Sequence, residues 1–178
     1  MCMPAALSLD TVNAMTRAQF VATFGGIFED SPWIPEAAWQ RRPFRGREHL
    51  LSAMRDAVLA AGQHRQLALI QAHPELGARP VLSASASATS RREQRRAGLH
   101  ASRPEAANRL RQLNDAYRAR FGFRFVLAVR GLDMDAVLAA ISRRLAHDRD
   151  TELQAALEEI MRIAQFRLED LLASPDGG

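Results

Sequence analysis

Residues 69–77 read Leu-Ile-Gln-Ala-His-Pro-Glu-Leu-Gly, and they mark the end of an apolar helix predicted over residues 65–72. Proline disfavours the helical conformation for the residue before it, so this helix should stop at or just before His73. The partial negative charge at a helix C-terminus favours a protonated imidazole. Gly77 then lets the chain turn sharply. The stretch thus places a titratable group on a fixed helix end, which suits a catalytic acid or base, although such a histidine is more often structural.

Helical patterns surround this stretch on both sides. Apolar residues recur at intervals of three and four, and capping residues, glycines and prolines mark the ends. A capping box over residues 90–93 predicts that Ser90 begins one of these helices. The other predicted helices cover residues 17–28, a short element ending near residue 41, and residues 47–61, 65–72, 104–120, 134–146 and 151–173.

Only residues 121–129 resemble a strand, because their phenylalanines alternate. No second strand accompanies them, so we expect an extended buried segment rather than a sheet. The chain has no internal repeat and no long linker. We therefore predict an all-α, single-domain bundle of about seven to nine helices in residues 1–178, with a core over about 8–172 and mobile termini. The small residues of 83–89 predict a flexible loop.

The composition excludes several kinds of chemistry. The 178 residues, 47% of them apolar and 25% charged, are enough for one sizeable core. All 24 basic residues are arginine, and the absence of lysine excludes Schiff-base catalysis and a P-loop lysine. The five histidines and the single cysteine, Cys2, lack the spacing of metal ligands. Without a long apolar run or a secretory signal, the expected location is cytoplasmic.

The helix predicted to start at Ser90 has a polar face. Ser90, Glu93 and Gln94 lie three and four positions apart, so a hydroxyl, a carboxylate and an amide point in one direction. Spacing alone favours a solvated helix on which Ser90 and Glu93 are only caps. In the alternative interpretation, this polar face closes over His73.

Arg167 lies in the apolar stripe of the last predicted helix, four residues after Ile163 and seven after Ile160. A buried arginine needs an anion, and its planar guanidinium suits a substrate carboxylate. The alternative is that the side chain reaches solvent from the edge of the stripe.

Several segments together resemble the 2-oxo-4-hydroxy-4-carboxy-5-ureidoimidazoline (OHCU) decarboxylase family. Each motif is weak alone, but they follow one another in the family order and span about residues 8–172. The matching segments are residues 28–33, 42–44, 72–77, 90–94, 97–99, 113–117, 120–123 and 167–168.

This resemblance implies an all-helical, homodimeric carboxy-lyase that needs no cofactor and no metal and converts a small ureide, OHCU, to (S)-allantoin in urate breakdown. It implies that His73 is the catalytic histidine and Glu93 the active-site carboxylate. The substrate-binding positions that it implies are Pro74, Ser90, Gln94, Phe125, Val126 and Arg167. One residue departs from the family pattern: Arg124 stands where proline is usual, which could loosen the wall of the pocket.

Two other functions compete with this interpretation. The first is an enzyme that acts on a different ureide. The second is a nucleic-acid-binding helical protein that uses the basic run Arg91, Arg92, Arg95 and Arg96. Against the second, acidic residues are interspersed along the chain and the aromatic residues lie in apolar stripes, so nucleic acid is not an expected partner. A membrane is not an expected partner either.

Overall fold

Nine α-helices account for most of residues 7–77, 87–99 and 103–172, the parts of the chain that the computed structural model describes. The helices are α1 Leu9–Ala14, α2 Arg17–Phe24, α3 Trp33–Trp39, α4 Arg47–Ala60, α5 Gln63–Ala72, α6 Ala88–Arg96, α7 Pro104–Phe121, α8 Met134–Arg144 and α9 Arg149–Leu172. These ranges contain no strand, so the prediction of an all-α fold with seven to nine helices is confirmed. Most of the predicted 83–89 loop and the outermost termini lie outside the described residues.

Four helix starts differ from the sequence prediction, and two of them, those of α5 and α9, lie two residues earlier than expected. Helix α1 was not predicted, because residues 1–15 are weakly patterned, yet the Ser8 side chain accepts a hydrogen bond from the Thr11 amide and caps it. Helix α6 begins two residues before Ser90, and its N-cap is Ser87, whose side chain accepts from the Ser90 amide. The prediction that Ser90 is the cap is therefore wrong, because the small residues before it continue the helix.

The chain divides into two compact units, Met1–Gln66 with Met161–Gly178, and Leu67–Ile160. In the first unit, α3 packs against α2 and α4 around a buried aromatic cluster that includes Phe20, Phe24 and Phe44. The proposed extent of one domain over residues 1–178 stays a prediction. No helix within the described ranges has the length and apolar character needed to cross a membrane.

In the second unit, α7 and α8 pack together, and residues 123–129 are buried apart from the half-buried Arg124 and form neither helix nor strand. Side chains, rather than a neighbouring strand, satisfy two of its backbone groups. The Ala128 amide donates to Glu159 Oε2 at 2.9 Å, and the Val126 carbonyl accepts from Arg144 Nη1 at 2.7 Å. A buried backbone needs such partners, and here they fix a segment that no sheet supports.

Candidate active site

His73 lies directly after the last residue of α5, as the following proline predicts. Its side chain is 3% exposed, and its backbone amide donates to the Ile70 carbonyl at 3.2 Å. The ring atom Nδ1 lies 2.9 Å from the Leu69 carbonyl oxygen. Because a carbonyl can only accept, Nδ1 must carry the proton, and in the neutral ring Nε2 is then the basic nitrogen. The local backbone therefore selects the tautomer with its base at Nε2.

Two buried amide side chains hold the turn that follows His73. Gln94 Oε1 accepts from the Gly77 amide at 3.1 Å, and Gln94 Nε2 lies 3.4 Å from the Glu75 carbonyl. Asn114 Nδ2 donates to the Leu76 carbonyl at 3.0 Å. Helices α6 and α7 thus fix consecutive backbone groups of the turn, so the segment that carries the histidine is rigidly placed.

Gly77 is required at this turn for two separate reasons. Its φ is +72°, and a Cβ atom added to it would lie 2.7 Å from Leu110 Cδ2, whose side chain is buried. We expect Gly77→Ala to lower the free energy of unfolding by about 2–4 kcal/mol, from left-handed strain and overpacking together. Gly131→Ala is the matched control, because Gly131 has a φ of +79° but open space around it. Urea denaturation measures both, and equal losses would contradict the steric part of the explanation.

The polar face of α6 points inward. Ser90 is 4% exposed and Gln94 is 6% exposed, whereas Glu93 is half-buried. The interpretation of this helix as a solvated one, with its serine only a cap, is wrong for these two residues. Gln94 instead brings α6 against the turn after His73. The exposed side of the helix carries arginines such as Arg92 and Arg95.

The segment with Phe125 and Val126 is buried against a charged cluster. The Arg144 guanidinium lies 4.7 Å from the Phe125 ring centroid and donates to the Val126 carbonyl. The Glu152 carboxylate accepts from Arg144 Nε at 2.8 Å and from the Tyr117 hydroxyl. Burial, with the hydrogen bond to Glu152, raises the pKa of Tyr117 above its usual range. Tyr117 therefore stays neutral and donates its proton, and the cluster anchors the backbone of this segment.

Arg167 belongs to the first unit and is 6% exposed, so the buried one of the two interpretations that the sequence left open is the one observed. Its Nη1 lies 3.0 Å from Glu29 Oε1 and donates to the Ile27 carbonyl at 3.0 Å. The anion that a buried arginine needs is therefore supplied by the protein itself. The family resemblance also implies that Arg167 binds the substrate carboxylate, so the same guanidinium would have to contact both Glu29 and the substrate.

Sequence reasoning missed Asn114, Arg144, Glu152 and Glu29, all of them buried. A usable signal existed for two of them, because a polar side chain inside an apolar helical stripe is unusual. Asn114 follows Leu110 by four positions, and Arg144 follows Val137 by seven. Among residues 7–77, 87–99 and 103–172, no group of three or more His, Cys, Asp or Glu side chains is arranged to hold a metal ion.

Comparisons with known proteins agree over nearly the whole chain. The family model described as OHCU decarboxylase matches residues 13–169. The OHCU decarboxylase of Haloferax volcanii is 40% identical over 168 residues, which cover 94% of this chain and 98% of that protein. The OHCU decarboxylase of Mus musculus is 41% identical over 166 residues, covering 92% of each chain.

A solved structure supports the same assignment. The crystal structure of an (S)-allantoin synthase aligns with a TM-score of 0.77 and 27% sequence identity. The alignment covers 96% of this chain but 56% of that longer one, so this chain spans about half of that protein. Together with the family model and the two relatives, this alignment shows that the chain belongs to the OHCU decarboxylase family.

Proposed function

We propose that this chain decarboxylates OHCU to (S)-allantoin in urate degradation, and that it does so without a cofactor. The observation that carries the mechanism is the buried His73 ring, whose Nδ1 donates to the Leu69 carbonyl. A histidine held in one tautomer can exchange a proton at a fixed position. Relatives with 40% and 41% identity are OHCU decarboxylases, which supports the choice of substrate.

The substrate's own structure explains why no cofactor is needed. An imine adjoins the carbon that loses carbon dioxide, so the electron pair of the breaking C–C bond has an acceptor within the substrate. The enzyme must bind the carboxylate, move one proton, and deliver one proton to a single face of the carbanion-like carbon. Facial delivery by a fixed acid gives one enantiomer, whereas protonation by bulk water gives both.

His73 is proposed as the general acid and base of this reaction, with Glu93 orienting or charging it. Gln94 and Ser90 are proposed to bind the ureido and ring polar groups of the substrate. The side-chain amide of Gln94 has two N–H groups and two lone pairs, so it can hold the turn after His73 and bind substrate as well. The other proposed substrate-binding residues are Pro74, Phe125, Val126 and Arg167, whose roles rest on the family resemblance.

The direct experiment follows freshly prepared OHCU by circular dichroism with and without the protein. We expect rapid formation of (S)-allantoin with the protein and slow formation of racemic allantoin without it. A racemic product at the uncatalysed rate would contradict the proposed function. Faster turnover of a different ureide would support the competing enzyme, and salt-dependent retention on DNA would support the nucleic-acid-binding alternative.

A homodimer is also part of this proposal, on the basis of the family resemblance, and a cytoplasmic location stays the expectation drawn from the sequence. The first unit carries two large apolar side chains that are partly exposed, Leu59 and Leu171, and they are candidates for contact with a second copy. Light scattering of the purified protein measures the mass in solution. A mass equal to that of one chain at micromolar concentration would contradict the dimer.

A further inference from the structure

Arg124 lies in the segment that follows α7, and its side chain contacts the backbone of His73. It lies between the buried residues Phe123 and Phe125, and its own side chain is half-buried. Its Nη1 donates to the Gln71 carbonyl at 2.9 Å and to the His73 carbonyl at 3.1 Å. One terminal guanidinium nitrogen has two N–H groups, so it can serve both carbonyls at once.

These contacts complete the end of α5. The last carbonyls of a helix have no partner inside the helix and need other donors. The His73 ring and amide serve the carbonyls of Leu69 and Ile70, and Arg124 serves that of Gln71. A cation is also favoured at this negative end of the helix dipole. His73 and Arg124 therefore cap the helix together.

A third hydrogen bond runs in the opposite direction. Gln71 Nε2 donates to the Gly122 carbonyl at 3.3 Å. The last turn of α5 and the start of the segment that follows α7 thus exchange three hydrogen bonds, two of them from Arg124. The backbone of His73 is consequently fixed relative to the segment that contains Phe125 and Val126.

We propose that Arg124 is a positioning residue for the reaction, because its guanidinium fixes the His73 carbonyl and through it the direction of the imidazole. The proposal rests on the proposed function of His73. The family resemblance implies that proline is usual at this position, and a proline has no side-chain donor with which to make these contacts. The expectation that Arg124 loosens the wall of the pocket stays a prediction.

Kinetics of three variants test this role. Arg124→Met removes the donors but keeps an aliphatic stem, and Arg124→Lys restores a cationic donor. Arg120→Met is the matched control, because Arg120 Nη2 also donates to a backbone carbonyl, that of His147, at 3.0 Å. A small misplacement of a catalytic group costs up to about 100-fold. We expect Arg124→Met to lower kcat about 10-fold with KM changed less than about 2-fold. Arg124→Lys should recover most of the lost kcat. Arg120→Met should have the kcat and KM of the parent.

Nitrogen NMR of the histidine rings gives a readout that does not depend on activity. His73→Asn assigns the His73 signals, and we expect Arg124→Met, but not Arg120→Met, to shift or broaden them. Unchanged kcat and unchanged signals in Arg124→Met would overturn the positioning role, as would an equal kcat loss in Arg120→Met. If His73→Asn itself keeps full activity, the proposed role of His73 fails and the positioning role of Arg124 fails with it. If His73→Asn is inactive while Arg124→Met equals the parent, only the positioning role of Arg124 fails.

Discussion

Replacement of His73 by asparagine is expected to lower kcat for OHCU by about 10²- to 10⁴-fold, the usual contribution of a general acid or base. The free energy of unfolding should change by less than about 1 kcal/mol, because the asparagine Nδ2 can replace the Nδ1 donor to the Leu69 carbonyl. The substitution therefore removes the basic nitrogen Nε2 while it keeps the helix-end hydrogen bond. Circular dichroism of the product measures the rate, and urea denaturation measures the stability.

Two companion variants separate chemistry from folding in this experiment. His73→Ala removes the helix-end donor as well, so it should lose both activity and about 1 kcal/mol of stability. His64→Asn changes an exposed histidine of the same helix α5 and should leave both quantities unchanged. Full activity in His73→Asn would remove His73 from the mechanism, and a large loss of stability in that variant would contradict the hydrogen-bond argument.

The second large effect is expected at Arg167. The sequence alone suggests that Arg167→Ala would mainly weaken substrate binding. The ion pair with Glu29 changes this expectation, because both side chains are buried and their charged atoms lie 3.0 Å apart. Removing one partner of a buried pair typically costs about 3–5 kcal/mol, since the other charge stays buried without its counter-ion. We expect Arg167→Ala to lose stability on this scale in urea denaturation.

The double variant Glu29→Gln with Arg167→Met tests stability and substrate binding separately. Replacing both partners with neutral side chains of similar size is often close to neutral in stability. If this variant folds, a raised KM for OHCU supports the proposed contact between Arg167 and the substrate carboxylate, and an unchanged KM contradicts it. Parent-like stability of the single variant Arg167→Ala would instead contradict the ion-pair argument.

Features set by local rules were predictable from the sequence. The proline at position 74 determines that α5 ends before His73, and the spacing of apolar residues indicates an all-α fold. The apolar stripe that contains Arg167 left open whether its side chain is buried or reaches solvent, and the structure shows it buried. Local rules failed at the start of α6, where the capping box predicted Ser90 as the N-cap and the structure has Ser87 instead.

The sequence by itself determined most of the helices, the position of His73 on a helix end, and the resemblance that identifies the family. Only the tertiary structure decided which side chains hold that histidine and which anion neutralises the buried arginine. Asn114 reaches the turn from 38 residues away, and Arg124 reaches the His73 carbonyl from 51. Hydrogen bonds act over about 3 Å in space and carry no periodic signal along the chain. Their partners are therefore fixed by how the helices pack, and packing decides what surrounds the histidine that the sequence places on a helix end.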